Sequence, residues 1–183
     1  MRRPPPRPLV LLAVMIALLA GCGEAAKPAA APPPATTEFG GTDLAWVELM
    51  IPMDEQLIPV LDLVRDKAQD QNLVKLAGEL HGVYDQELPK LRALSDQAGL
   101  PKDNPHKGHK MPGLVDADRL AALRQNDGAA FERQAVDCLR EHLDQLANLA
   151  GSEIANGTSP AVKALARQVA DTRGGASARL PKA

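Results

Sequence analysis

Long apolar stripes at helical spacing are the feature of this sequence that most restricts its fold. From residue 46 onward apolar side chains recur every three or four residues, which places them on one face of an α-helix. Only four of the 183 residues are Phe, Trp or Tyr, too few for a typical β-sandwich or barrel. The sequence therefore predicts an all-α protein with one globular domain.

The first half of the domain is predicted to be a helical hairpin. Its first helix carries the stripe Trp46, Leu49, Met50, Met53, Leu57, Val60, Leu61, Val64 and Ala68. Pro52 and Pro59 lie inside this stripe, and their spacing of seven puts both bends on nearly the same side, so we expect one curved helix. The second helix is predicted to begin at the N-cap Asp70 and to end at Gly99.

The second half repeats this pattern after a long loop that reaches about Val115. A short helix is predicted near residues 120–123. A long helix follows, with an inward-facing apolar stripe that begins at Phe131, and it is predicted to end at Asn156-Gly157. Ser159-Pro160 is predicted to cap the last helix. An offset of 89 residues aligns the halves, with Val47 on Val136, Glu48 on Asp137, Met50 on Leu139, Gln56 on Gln145, Leu57 on Leu146, Leu73 on Val162, Leu76 on Leu165, Leu80 on Val169 and Asp70 on Ser159. Two hairpins of this kind predict an antiparallel four-helix bundle, although amphipathic helices can also match by chance.

The N-terminus is predicted to be a lipoprotein signal peptide. Arginines precede an apolar run of about a dozen residues, shorter than the roughly 20 that a membrane-spanning helix needs. The run ends in Leu19-Ala20-Gly21-Cys22, which resembles the lipobox of bacterial lipoproteins, where the cysteine is lipidated and becomes the mature N-terminus. We therefore expect residues 1–21 to be removed and Cys22 to anchor the protein to the extracytoplasmic face of the cell membrane. An ordinary secreted protein with an incidental cysteine is the alternative.

The segments around the domain are predicted to be unstructured. Residues 22–38 are rich in Ala and Pro and should form an extended tether, the bundle should occupy residues 39–173, and residues 174–183 should be a disordered tail. Removal of the signal peptide takes three of the 21 basic residues and none of the 23 acidic ones, which leaves a net charge of −5. An acidic protein is a poor partner for nucleic acid.

Three segments together identify a family resemblance. They are 39–52 (FGGTDLAWVELMIP), 106–113 (HKGHKMPG) and 131–133 (FER). They resemble the bacterial family catalogued as domain of unknown function 305, a ferritin-like four-helix bundle of exported proteins, some of which bind copper. The resemblance covers roughly residues 39–173 and implies the same bundle fold.

The sequence departs from that family at its histidine pairs. The resemblance implies a His-His pair after Met-Ile-Pro and another in the second repeat, but the corresponding pairs here are Met53-Asp54 and His142-Leu143, and Leu91 stands where a methionine is usual. The chain also has no Glu-x-x-His on any helix, the motif of di-iron bundles. A metal centre of the family type is therefore not expected.

Two groups of residues remain candidates for copper. Met50, Met53, Cys138 and His142 are predicted to face the bundle interior, where Met53 and His142 are equivalent positions and Glu87 could orient the imidazole of His142. The same residues could equally be ordinary core. In the loop, His106, His109 and Met111 lie within six residues, and nothing about folding requires them there, so we prefer this second group, with weak binding because a mobile loop lacks a rigid support.

No enzyme chemistry is indicated. The sequence has no phosphate-binding loop and no nucleophile motif, and Cys138 has no cysteine partner once Cys22 is lipidated. The sequence therefore predicts a monomeric, lipid-anchored helical bundle that binds, buffers or delivers copper and is not an enzyme. The alternative is a metal-free helical module that docks another envelope protein.

Overall fold

The computed structural model describes residues 38–106 and 109–182. These residues form five α-helices and no strand: α1 (Gly41–Lys67), α2 (Gln71–Gln97), α3 (Ala117–Gln125), α4 (Gly128–Asn156) and α5 (Pro160–Ser177). The all-α prediction is confirmed. None of the described helices has the length and apolar character needed to cross a membrane. The predicted signal peptide, Cys22 and nearly all of the tether lie outside the described residues.

The helices pair as two hairpins, as the sequence predicted. α1 packs mainly on α2 and α4 mainly on α5, and the two hairpins meet chiefly through α1 and α4. Pro52 and Pro59 lie inside the single helix α1, as expected. The core runs the length of the bundle and includes residues from all five helices, among them Leu57, Leu80, Leu123, Leu146 and Val169.

The helix ends follow the sequence in part. The Asp70 side chain accepts a hydrogen bond from the backbone N–H of Asn72 at 2.8 Å and so caps α2 as predicted. The backbone at Gly99, just beyond α2, has a φ of 67°, which favours glycine. Ser159 stands at the N-cap of α5, but its buried hydroxyl oxygen has no hydrogen-bond partner, so the prediction that this side chain caps the helix is wrong.

A carboxylate from the opposite hairpin instead holds the turn that leads into α5. Asp43, in the first turn of α1, accepts hydrogen bonds from the backbone N–H groups of Thr158 and Ser159 at about 3 Å and from the Thr158 hydroxyl at 2.7 Å. Glu132, 89 residues later, accepts from the backbone N–H groups of Gln69 and Asp70. Each hairpin thus uses the carboxylate at the start of its long helix to hold the other hairpin's turn, which supports the repeat at an offset of 89.

The buried carboxyl of Glu153 completes this junction. Gly157 packs so closely on Glu153 that an added Cβ would lie 2.7 Å from the Glu153 carbonyl oxygen, which excludes larger residues. Burial raises the pKa of Glu153 to about 8, and the charge of Asp43 acts in the same direction. Burial also tends to raise the pKa of Asp43, but hydrogen bonds from Thr158, Gly40 and Ser159 outweigh it and hold that pKa below its usual range. Both carboxyl oxygens of Glu153 are buried without a hydrogen-bond partner among the described residues, so the raised pKa keeps this side chain neutral beside the Asp43 carboxylate.

We expect the stability of the bundle to fall as the pH rises from about 4.5 to about 8. The folded protein keeps the Glu153 proton through this range and the unfolded chain releases it, so the stabilisation is complete below the unfolded pKa and is lost as the pH passes the folded one. Glu153→Gln keeps the size of the side chain without an ionisable group. Thermal unfolding at pH 5 and pH 9 should show a smaller loss for this variant, and equal losses in both proteins would contradict the assignment.

The end of the domain was predicted too early. α5 continues through Gly174 and Gly175 to Ser177, and Leu180 beyond it is buried in the core. The guanidinium of Arg140 donates to the carbonyl oxygen of Pro181. The expectation of a disordered tail is therefore wrong for residues 174–181. The two glycines do not end the helix, and Leu180 is buried in the core.

Candidate functional site

The long loop between α2 and α3 is attached to the bundle at both of its ends. Near its start, the Asn104 side-chain amide donates to the backbone carbonyl of Glu48 on α1 at 2.6 Å. The side-chain oxygen of Asn104 also accepts from the backbone N–H of His106 at 2.9 Å. The segment that leads to His106 is therefore tied to the middle of α1.

The second attachment joins Gly113, near the end of the loop, to two residues of α4. Its N–H donates to the Glu141 carboxylate at 3.1 Å, and its carbonyl accepts from Nδ1 of His142 at 2.8 Å. Its φ is 76°, and an added Cβ would lie 2.7 Å from the Cβ of Gln145, so only glycine fits this approach. Leu114 follows and is buried. The expectation of a loop without rigid support is wrong at these two ends.

His106 and His109 lie side by side between the two attachments. Their ring centroids are 5.9 Å apart and the rings are nearly perpendicular. The backbone N–H of His109 donates to the carbonyl of His106 at 3.1 Å. Nε2 of His106 lies 3.6 Å from a carboxylate oxygen of Glu48. His106 therefore lies next to the His109 ring on one side and close to a carboxylate of α1 on the other.

Met111, the third loop candidate, makes its contacts with the bundle. Its side chain is partly buried and packs against the hydrophobic core. It also lines a surface depression of about 380 Å³ with Arg119 and Glu141, which pair at 2.6 Å. The structure thus pairs the two histidines of the predicted loop site and places the thioether towards the bundle.

The interior candidates are buried, as predicted. Met50, Met53, Cys138 and His142 are each at most 1% exposed. Burial raises the pKa of the Cys138 thiol to about 11, so the thiolate that would bind a metal is disfavoured. The methionines and the cysteine are core residues in this structure.

His142 uses both ring nitrogens within the protein. Nδ1 donates to the Gly113 carbonyl, and Nε2 accepts from the Tyr84 hydroxyl at 2.8 Å. Burial is the main reason that the pKa of His142 falls to about 3, so the ring is neutral. A metal at this histidine would have to displace one of these hydrogen bonds.

Arg173 occupies the region beside Tyr84. Its guanidinium contacts Glu87 at 2.7 Å and Asp54 at 3.4 Å, and its Cζ lies 4.2 Å from the Tyr84 ring centroid. The prediction that Glu87 orients His142 is wrong, because Glu87 pairs with Arg173. Burial and the neighbouring charge of Glu87 raise the pKa of Asp54 well above its usual range, against the opposing effect of Arg173. Arg173 thus lies between two carboxyl side chains in the centre of the bundle.

Sequence reasoning missed Arg173, Tyr84 and Glu48. Arg173 had marked the end of the domain, and a single charged residue near a helix end usually indicates a solvated position. The offset of 89 places Arg173 at the position of Tyr84, which is an inward one, and this signal could have found it. In the described ranges, no group of three or more His, Cys, Asp or Glu side chains is arranged to hold a metal ion.

Known proteins support the bundle fold. The family described as Domain of unknown function (DUF305) matches residues 43–182. A DUF305 fragment from Deinococcus radiodurans has a TM-score of 0.67 at 18% identity, over 76% of this chain and 93% of that chain. A DUF305 protein from Streptomyces coelicolor, described as secreted, has a TM-score of 0.65 at 21% identity, over 75% and 88%.

CopM in its Cu(I)-bound form has the same fold. Its TM-score is 0.63 at 20% identity, over 76% of this chain and 92% of that chain. The search of curated proteins gave no match. At these identities, the solved structures establish the arrangement of the helices.

Proposed function

The chain belongs to the DUF305 family, and we propose that it is a lipid-anchored extracytoplasmic protein that binds copper weakly through the loop histidines His106 and His109. Such a protein would buffer copper or deliver it to another protein, and would not be an enzyme. Lipidation of Cys22 would supply the membrane anchor. The description of the Streptomyces coelicolor relative as secreted supports the location.

The pairing of the two imidazoles carries the proposal. Two imidazoles that bind one ion through bonds of about 2.0 Å have ring centroids at most about 6 Å apart. The 5.9 Å between His106 and His109 is within that limit. Small rotations of the two side chains would therefore bring both to one ion, without a rearrangement of the bundle.

Glu48 adds a second element that metal sites commonly have. A histidine ligand usually donates its other ring N–H to a carboxylate, which fixes the ring and raises its basicity. Glu48 is placed to accept from Nε2 of His106 after an approach of about 0.5 Å, which would leave Nδ1 for the metal. Met111 would have to turn away from the core to become a third ligand, which accounts for weak binding.

Copper is the metal we favour. Imidazole and thioether groups suit Cu(I) better than they suit hard cations. CopM, which shares the fold, has been solved with Cu(I), and this supports the choice. The interior does not fit a metal centre of the family type, because Arg173 supplies a positive charge beside the position of the first histidine pair.

The alternative function is a metal-free module that docks another envelope protein. The observation that favours it is the interior itself, where Asp54 and His142, at positions of the family's histidine pairs, bind other residues of the protein. Under this alternative the loop histidines would have no metal function. The two proposals differ in whether the purified protein competes for copper.

A competition titration tests the proposal. We expect the protein without its signal peptide and lipid to take Cu(I) from a weak chelator under reducing conditions, and His106→Ala with His109→Ala to lower the affinity at least about tenfold. Thermal stability should hardly change, because exposed loop residues contribute little to folding.

His81→Ala is the matched control. His81 lies on α2, where it pairs with Asp85 at 3.0 Å and lies 3.5 Å from Asp62, away from the loop. We expect this variant to bind copper like the wild type. Failure of the wild type to compete even with a weak chelator would reject the copper proposal and favour the docking module.

A further inference from the structure

We propose that His142 is a positioning residue for the copper loop, held in the required tautomer by Tyr84. The proposal rests on the copper-binding function proposed above and extends it from the loop into the bundle core. In this arrangement His142 does not bind the metal. It holds the carbonyl of Gly113 and so fixes the end of the loop that carries His106 and His109.

The hydrogen bonds determine the direction of this contact. A carbonyl oxygen only accepts, so Nδ1 of His142 carries the proton that is donated to Gly113. Nε2 then has a free lone pair and accepts from the Tyr84 hydroxyl. Without that hydroxyl the proton could move to Nε2, and Nδ1 would then face the carbonyl with a lone pair.

The burial of the two residues makes the contact rigid. His142 and Tyr84 are both fully buried, and the face of the Tyr84 ring lies against the guanidinium of Arg173. Because the pKa of His142 is about 3, the ring stays neutral throughout the physiological range. The position of Gly113 is thus determined by the packing of α2, α4 and α5.

The Gly113 end of the loop is held by His142 and by Glu141, and the other end is held by Asn104. In the described part of residues 104–113, the backbone N–H of His109 donates to the His106 carbonyl, and the Met111 carbonyl accepts from the backbone N–H of Leu114. Without the bond from His142, Gly113 would keep only its N–H contact with Glu141. The segment would then sample more conformations, and these must be lost again when two imidazoles bind one ion. His142 should therefore affect copper affinity without contacting copper.

The experiment compares His142→Leu, His142→Asn and Tyr84→Phe. Leucine removes the donor to Gly113, whereas asparagine offers an N–H close to the position of Nδ1. We expect His142→Leu to bind Cu(I) about tenfold more weakly, His142→Asn to recover most of the affinity, and Tyr84→Phe to fall between the two.

Trypsin cleavage in the absence of metal provides a second measurement. Lys102 and Lys110 are exposed in the loop. We expect cleavage at Lys110 to be faster in His142→Leu than in the wild type, and cleavage at Lys102, on the far side of the Asn104 attachment, to change less.

Leu146→Ala controls for general destabilisation. Leu146 is fully buried one turn after His142 on α4, and its removal should lower stability without releasing Gly113. Equal losses of copper affinity in Leu146→Ala and His142→Leu would overturn the proposal, as would wild-type affinity and cleavage in His142→Leu. If the wild type binds no copper, the proposed function and its extension to affinity both fall, and the cleavage rates alone decide whether His142 holds the loop.

Discussion

Arg173→Met should lower the free energy of unfolding by about 3–5 kcal/mol, the largest effect we expect from one substitution. The guanidinium is fully buried between Glu87 and Asp54, and the variant would leave the Glu87 carboxylate without its partner. Removing one member of a buried ion pair is costly because the other charge stays away from water. Chemical denaturation at pH 7 measures the change.

A second substitution distinguishes the effect of the unpaired Glu87 charge on stability from the effect of the lost Arg173 packing. Glu87→Leu added to Arg173→Met removes the isolated charge, so the double variant should recover much of the lost stability. Arg179→Met is the matched control, since Arg179 pairs with Glu79 at an exposed site and should matter little. No recovery in the double variant would mean that the packing of Arg173 on Tyr84, and not its charge, stabilises the centre.

Asp43→Ala should cost about 3 kcal/mol, the second largest effect. The variant removes the acceptor for the backbone N–H groups of Gly40, Thr158 and Ser159 and for the Thr158 hydroxyl. These donors lie where α1 meets the turn between α4 and α5, and in the variant they would be partly buried without partners. Denaturation experiments with Asp43→Ala and Asp43→Asn measure the effect, and the asparagine variant should lose less.

Glu132→Ala is the equivalent change in the second repeat. Glu132 accepts from only two backbone N–H groups, Gln69 and Asp70, at a more exposed junction. We expect a loss of about 1 kcal/mol. A loss at Glu132 as large as that at Asp43 would contradict the view that burial makes the first junction the stronger one.

The fold could be predicted because local patterns determine it. Apolar spacing, the cap at Asp70 and the turn at Gly99 are all features of neighbouring residues. The repeat at an offset of 89 was found from apolar matches, one glutamine match and the shared cap positions, but the equivalence of Asp43 and Glu132 was not. Both side chains act on the turn of the other hairpin, and a contact between residues more than 60 positions apart leaves no local pattern.

At the candidate site, the sequence predicted the two histidine ligands but not the residues that surround them. The two histidines are close in sequence and remain close in the structure. The central ion pair was missed because it joins Asp54, Glu87 and Arg173 from three helices, and the prediction had assigned Glu87 to His142. The tail was missed because helix propensity counts Gly174 and Gly175 as breakers, whereas burial of Leu180 and of Ala176 stabilises the helix there.

The central claim is that copper binds at the loop and not in the interior. The chain has four histidines, His81, His106, His109 and His142, and Cu(I) is diamagnetic, so imidazole ¹H–¹⁵N spectra can follow each ring during a Cu(I) titration. We predict that the signals of His106 and His109 shift together in proportion to added Cu(I), while those of His81 and His142 keep their positions. A shift of the His142 signals that precedes or replaces those of the loop histidines would contradict the account.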